Sequence, residues 1–499
     1  MVNYNISLDD AAFAYLVYDK KHEGFSNHIL LKEHNLYLNY SKKTEVLYYT
    51  NNENSIYIIG LCVDSHAELE RSQIPAFLLT NNPGTIDEII KMSARFAGNY
   101  VVLVSLEKEL FAYTDATAFL QINYSKDAIC FSSFAHLVAK ILNKPFDECN
   151  LKIRESADYV AAMPNDITVY KNIKTVLPNH YFHINKFDVC RFYPYEELEY
   201  YDSYTDILNR HIVLIDNIVK EYAKYNNLVC PLTSGWDSRV VFSFLTRNIP
   251  DIQSYTFFHK NFTAETPDIV IPKKICKLKN KKYIQIPDLQ PSDEFVSKIT
   301  EIIGQHYYKS DIAMAYTYKD TFGASASITG DIIDHLGKSA LVNLLPTFLA
   351  TPSYFVAKEQ NISPDAKKEV AIYLKRIKKE KHNWPYVYDL FGLEDQCGRW
   401  AGYARTIYSA AGITLLNIFN CKEIIDDWIR IRRSKRKKHC IHIYFLHALA
   451  RDLLQIPFNP DKKFIKFLSN SKVLFFLATY IRHFIEKIRK PHLKKNKKG

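Results

Sequence analysis

From about residue 1 to 195, short apolar stretches alternate with turn residues, as in Ser55–Cys62, Asn99–Leu106, Ala128–Phe131 and Tyr181–Ile184. This spacing predicts a β-rich first half, with helices at Thr85–Ala94 and Ala135–Leu142. After Tyr204 the pattern changes to long amphipathic helices joined by short β-like runs, Leu228–Leu232, Ser254–Phe258 and Lys282–Ile286. Strands spaced by helices predict a parallel sheet with crossover helices. The expected fold class is an α+β N-terminal domain of β-rich layers followed by an α/β domain with a parallel sheet and long helices. The change of pattern falls at YEELEYYDSY, residues 195–204. Domains at 1–195 and 204–461 follow, with a basic tail over 462–499, and no repeat interrupts them.

Composition sharpens this picture in two places. With 499 residues, nearly half of them apolar, and only 14 Gly, the chain is a globular protein of two to three domains rather than one small binding module. Its +11 charge is local: residues 462–499 hold 12 Lys or Arg against the single acid Glu486, while residues 1–461 hold 53 of each sign. The tail joins apolar residues to basic ones, a pattern suited to a peripheral membrane or acidic-partner contact, or to a helix packed on the core. No nucleic-acid-binding module accompanies the charge. Nine scattered cysteines without CxxC spacing, and a start without a signal-like apolar stretch, lead to a cytoplasmic expectation.

The chemistry centres on LVCPLTSGWDSRVVFSFLT, residues 228–246. It reads as a strand, a tight Ser/Gly turn and a helix. Backbone N–H groups at such a helix N-terminus suit a phosphate. Thr233, Ser234 and Ser238 add hydroxyl donors around Gly235, and Asp237 is a candidate magnesium ligand. The same string also reads as a plain helix capped by Asp or Ser. Downstream, ITGDIIDHLGKS at 328–339 puts Asp331 and Asp334 three residues apart, a spacing that permits both carboxylates on one side of a helical turn.

TSGWDS resembles the SGGxDS loop of the asparagine synthetase and β-lactam synthetase family, with Thr233 and Ser234 at its first two positions. TGDIIDH resembles that family's second motif, close to SGxGxDE, with His335 where an acid would stand. The resemblance implies ATP and Mg²⁺ as cofactors: Thr233, Ser234, Gly235, Asp237 and Ser238 at the nucleotide, Asp237 and Asp334 at the metal, and Asp331 as a catalytic residue. It also implies a late catalytic lysine, for which LLQIPFNPDKKF offers Lys462 or Lys463, and an acidic residue after the second strand, matched by Asp268.

Residues 96–142 and 166–195 resemble parts of a class II glutaminase domain, with Thr114–Asp115 where the family has Arg-Asp. The nucleophile of such a domain is a cysteine exposed by Met removal, and position 2 here is Val2. The expectation is therefore a degenerate glutaminase-like domain joined to an ATP-dependent, AMP-forming carbon–nitrogen ligase. Its partners would be a small-molecule or peptide carboxylate and an amine donor. An intramolecular cyclase, and a pseudoenzyme or binding protein without turnover, are the alternatives. Arg399 and Arg405, and the basic run at 429–439, are further candidates for anion contacts.

Overall fold

A computed structural model describes the chain except for residues 1–6, 52–53, 82, 157–162, 226, 308, 339–344, 360, 362, 461–475, 486 and 488–499. The first half is a stack of two six-stranded antiparallel sheets. The first sheet includes Tyr15–Tyr18, Asn27–Leu31 and Leu36–Tyr40; the second is built around Ser55–Asp64, Phe96–Leu106 and Glu109–Thr114. Alternation decides the layering. Tyr15 and Val17 of the first sheet share one apolar cluster with Ile59, Val101 and Leu103 of the second. Leu16, pointing the other way, joins Leu137 and Val138 of the helix Ala135–Ile141. Ile56, Ile58, Val102 and Val104 on the outer face of the second sheet pack on the helices Ile74–Thr80 and Ile86–Met92.

The expected strand at Ala128–Phe131 is shorter and later, Phe131–Ser132. Residues 126–129 form the turn that returns the chain from Asn123–Ser125, so their apolar members serve a hairpin end rather than a strand.

The second half is an α/β domain with a five-stranded parallel sheet, ordered Tyr283–Pro287, Gln253–Phe258, Leu228–Pro231, Ala326–Ile328 and Leu415–Leu416. The chain starts in the centre, winds outward on one side, then returns to build the other. Leu228–Pro231 and Ala326–Ile328 are therefore neighbours whose following connections leave in opposite directions. The crevice beyond their carboxyl ends is the ligand-binding position of such sheets. Pro231, which lacks an N–H, is tolerated because it is the last residue of its strand.

Buried polar contacts join the halves. Asp115 accepts N–H groups from Thr117, Phe119 and Leu120 at 2.9–3.1 Å, and Asn420 of the second half at 2.9 Å. Burial pushes its carboxyl up, while these donors pull the other way. Asn420 also donates to the Gly98 carbonyl at 2.5 Å. Arg191 pairs with buried Glu394 through both carboxylate oxygens, and Asn179 and Tyr373 complete that carboxylate's partners. Gly398 packs so tightly on Pro178 across the seam that a Cβ would lie 2.5 Å from the proline ring.

Candidate functional site at the switch point of the parallel sheet

The loop after Leu228–Pro231 leads into the helix Trp236–Asn248, whose cap is Gly235 with no side chain capping it. The N–H groups of its first turn thus keep the polarity that suits an anion. The loop before it is tied down internally. Thr233 N–H donates to Ser238 Oγ at 3.1 Å, Gly235 N–H to Thr233 Oγ1 at 3.3 Å, and Ser234 N–H and Oγ–H both to Asp268 Oδ1 at 2.8 and 2.7 Å. Asp268 is therefore a loop-holding residue, at the start of the helix Pro267–Leu278.

The loop after Ala326–Ile328 meets this turn directly. A Cβ on Gly330 would lie 3.3 Å from the Asp237 carbonyl carbon, so a side chain there would press the two loops apart. Asp237 and Asp334, far apart in sequence, converge on one cation, the ammonium of Lys338. Lys338 Nζ lies 3.2 Å from Asp237 Oδ2 and also pairs with Asp334. On its other oxygen Asp237 accepts Nε2 of His442 at 2.8 Å, a fully buried residue of the helix Cys440–Leu449. Burial opposes ionisation of Asp237, but His442 and Lys338 outweigh it and hold the carboxyl well below the usual range. Burial likewise opposes the charge on Lys338, and the two aspartates raise its pKa above the ordinary lysine value.

Asp331 does not share this cation. It pairs with Arg405 at 2.7 Å, and Thr329 Oγ1 bridges the two, accepting from Arg405 at 2.7 Å and donating to Asp331 at 3.1 Å. The expected common side for Asp331 and Asp334 is lost because Ile333–Gly337 winds as a π-helix, which turns Asp334 toward Lys338. Arg405 in turn lies over the Phe119 ring at 3.4 Å, so the first half of the chain borders the site.

A third wall comes from the end of the second domain. Arg239, fully buried, donates to the carbonyls of Leu453, Ile456, Pro457 and Ser234 at 2.8–3.2 Å. It also stacks on Phe458 at 3.7 Å. Trp236 is held between Phe458, at 3.6 Å and 5°, and His439, at 4.8 Å and 14°. Burial, with His442 and Lys338 nearby, lowers His439 to about 4 and keeps it neutral. Asn459 closes on the loop, its N–H reaching the Ser234 carbonyl at 3.3 Å.

Thr233, Ser234, Gly235, Asp237, Ser238, Asp331 and Asp334 thus lie on the two loops and helix starts that follow Leu228–Pro231 and Ala326–Ile328 and meet at Gly330 and Asp237. Lys462 and Lys463 fall outside the described residues. Lys338, Arg239, His442 and Trp236 are the residues that the sequence reading missed. Lys338 had a signal, the i,i+4 spacing from Asp334; His442 reads as one more histidine in an apolar helix. Arg399 lies elsewhere, donating to the Met163 and Ile167 carbonyls. In the basic run at 429–439, Arg436 is buried against Asp389 at 2.9 Å.

Among the described residues no group of three or more His, Cys, Asp or Glu is arranged to hold a metal. A divalent ion here would have Asp237 and Asp334 as its protein ligands. The two carboxylates surround the positive charge of one ammonium, and a pair of carboxylates completed by phosphate and water oxygens is in general a ligand set for Mg²⁺.

No family model matches the chain, and no curated protein matches it. Among solved structures it is similar to glutamine phosphoribosylpyrophosphate (PRPP) amidotransferase from B. subtilis, complexed with ADP and GMP, at 12% identity and a TM-score of 0.22. That likeness covers 53% of this chain and 56% of the other, so this chain spans little more than half the length of that relative.

Proposed function

We infer that the protein is an ATP-dependent, AMP-forming ligase that activates a carboxylate as its acyl adenylate and passes it to an amine, in the manner of the asparagine synthetase-like family. The observation that carries this reading is the meeting of Asp237 and Asp334 on one cation at the switch point, beside an uncapped helix N-terminus. A helix used only for packing has no need of two converging carboxylates there. Thr233, Ser238 and the first-turn N–H groups would bind the β- and γ-phosphates. Mg²⁺, held by Asp237 and Asp334, would neutralise charge on the phosphates. The substrate carboxylate attacks the α-phosphorus, pyrophosphate leaves, and the amine then displaces AMP.

In this reading Asp331 would stand next to the acceptor, and its pairing with Arg405 suits orientation of the amine better than uptake of its proton. The amine would be ammonia, a substrate amine, or the second end of one molecule, as in an intramolecular cyclase. Product analysis tests the reaction type: turnover should release AMP and pyrophosphate in equal amounts. Release of ADP and phosphate would contradict it.

A further inference from the structure

The helix 476–485, FLATYIRHFI, has one face packed on the protein and a separate apolar face that is exposed. Phe476, Thr479, Tyr480 and His483, spaced i, i+3, i+4, i+7, turn toward the body of the protein. Thr479 and His483 are buried, and the Phe476 ring stacks on buried Tyr354 at 5.8 Å and 8°. Leu477, Ile481, Phe484 and Ile485, spaced i, i+4, i+7, i+8, are exposed to 50%, 58%, 64% and 46%. A helix that serves only to pack on a core carries one apolar stripe and is polar elsewhere. A second contiguous stripe of large apolar side chains marks a surface that meets a partner.

Charge selects the partner. Arg482 and Lys487 are exposed beside the stripe. In the sequence, residues 462–499 hold the whole excess positive charge of the protein. A second copy would bring like charge against like charge. An acidic protein surface would match the charge but leave four aliphatic and aromatic side chains to find pockets. An anionic bilayer surface satisfies both, since apolar side chains enter the headgroup boundary while Lys and Arg meet the headgroups.

We propose that the exposed stripe Leu477, Ile481, Phe484 and Ile485, with Arg482 and Lys487 beside it, is a peripheral attachment site for anionic lipid bilayers. Among the described residues no helix is long and apolar enough to cross a membrane. This inference is independent of the nucleotide chemistry.

The test is co-sedimentation of the full chain with vesicles of phosphatidylcholine, and of phosphatidylcholine mixed with phosphatidylglycerol. The protein should partition onto the anionic vesicles only, and added salt should weaken the partition. The double variant I481E/F484E should lower it about a hundredfold, and R482E/K487E about tenfold. Circular dichroism and the thermal midpoint should stay at wild-type values, because all four side chains are exposed. Failure of the wild type to sediment with anionic vesicles would overturn the proposal, as would unchanged partition of I481E/F484E. Lipid-free dimerisation lost in I481E/F484E would instead assign the stripe to a second copy.

Discussion

Lys338 has the most informative position of any single residue. Its ammonium neutralises Asp237 and Asp334, so in the proposed function lysine and a divalent ion would compete for one place. Lys338→Met removes the competitor while keeping much of the side chain's length. All three partners are partly exposed, so the change in stability should stay within about 1 kcal/mol. Affinity for Mn²⁺ in the absence of nucleotide, read by electron paramagnetic resonance of the free ion, should rise at least about tenfold. An unchanged affinity would mean that Asp237 and Asp334 do not form a cation site. The resemblance put both acids at one cation; that this cation is Lys338 was not legible, nor were the π-helical turn at Ile333–Gly337 and the meeting of two loops at Gly330.

At the scale of elements, strand, loop and helix over 228–246 follow from an apolar run, a Ser/Gly turn and a helical apolar period. What fixes the loop is a set of contacts between that string and residues outside it. Arg239 sits among Val240, Val241 and Phe242, where a charged residue gives no sequence hint of its use, yet it gathers four carbonyls from the loop and from residues 453–457. Arg239→Met would leave those carbonyls buried without a donor. The expected loss is about 2–4 kcal/mol in chemical denaturation. Amide exchange over residues 451–459 should quicken, since Arg239 anchors that segment. Denaturation at the wild-type midpoint would show that the anchor is dispensable.

For the whole molecule, the division into a β-layered first half and a parallel α/β second half was readable from the change of period near residue 200. The seam was not, because Asp115, Asn420, Glu394 and Arg191 are ordinary polar residues until the halves meet. His180 reports on that seam. Burial first, and Arg191 second, lower its pKa from 6.5 to about 4. The unfolded chain therefore binds a proton in this window that the folded chain refuses. The contribution to stability is full above about pH 6.5 and falls as pH drops toward about 4, by at most about 1.4 kcal/mol per pH unit. His180→Gln should flatten the acid-side fall of the thermal midpoint relative to wild type. Parallel curves for the two proteins would contradict a neutral, buried His180.

The adenylate chemistry itself is tested most directly by ATP–pyrophosphate exchange with the purified protein, Mg²⁺ and a panel of carboxylates including aspartate, run beside Asp237→Ala. An adenylate-forming site predicts exchange with at least one acid, reduced about 10²–10³-fold or more in Asp237→Ala. Absence of exchange with every acid, together with no measurable ATP binding, would contradict it and leave the fold as a binding protein without turnover.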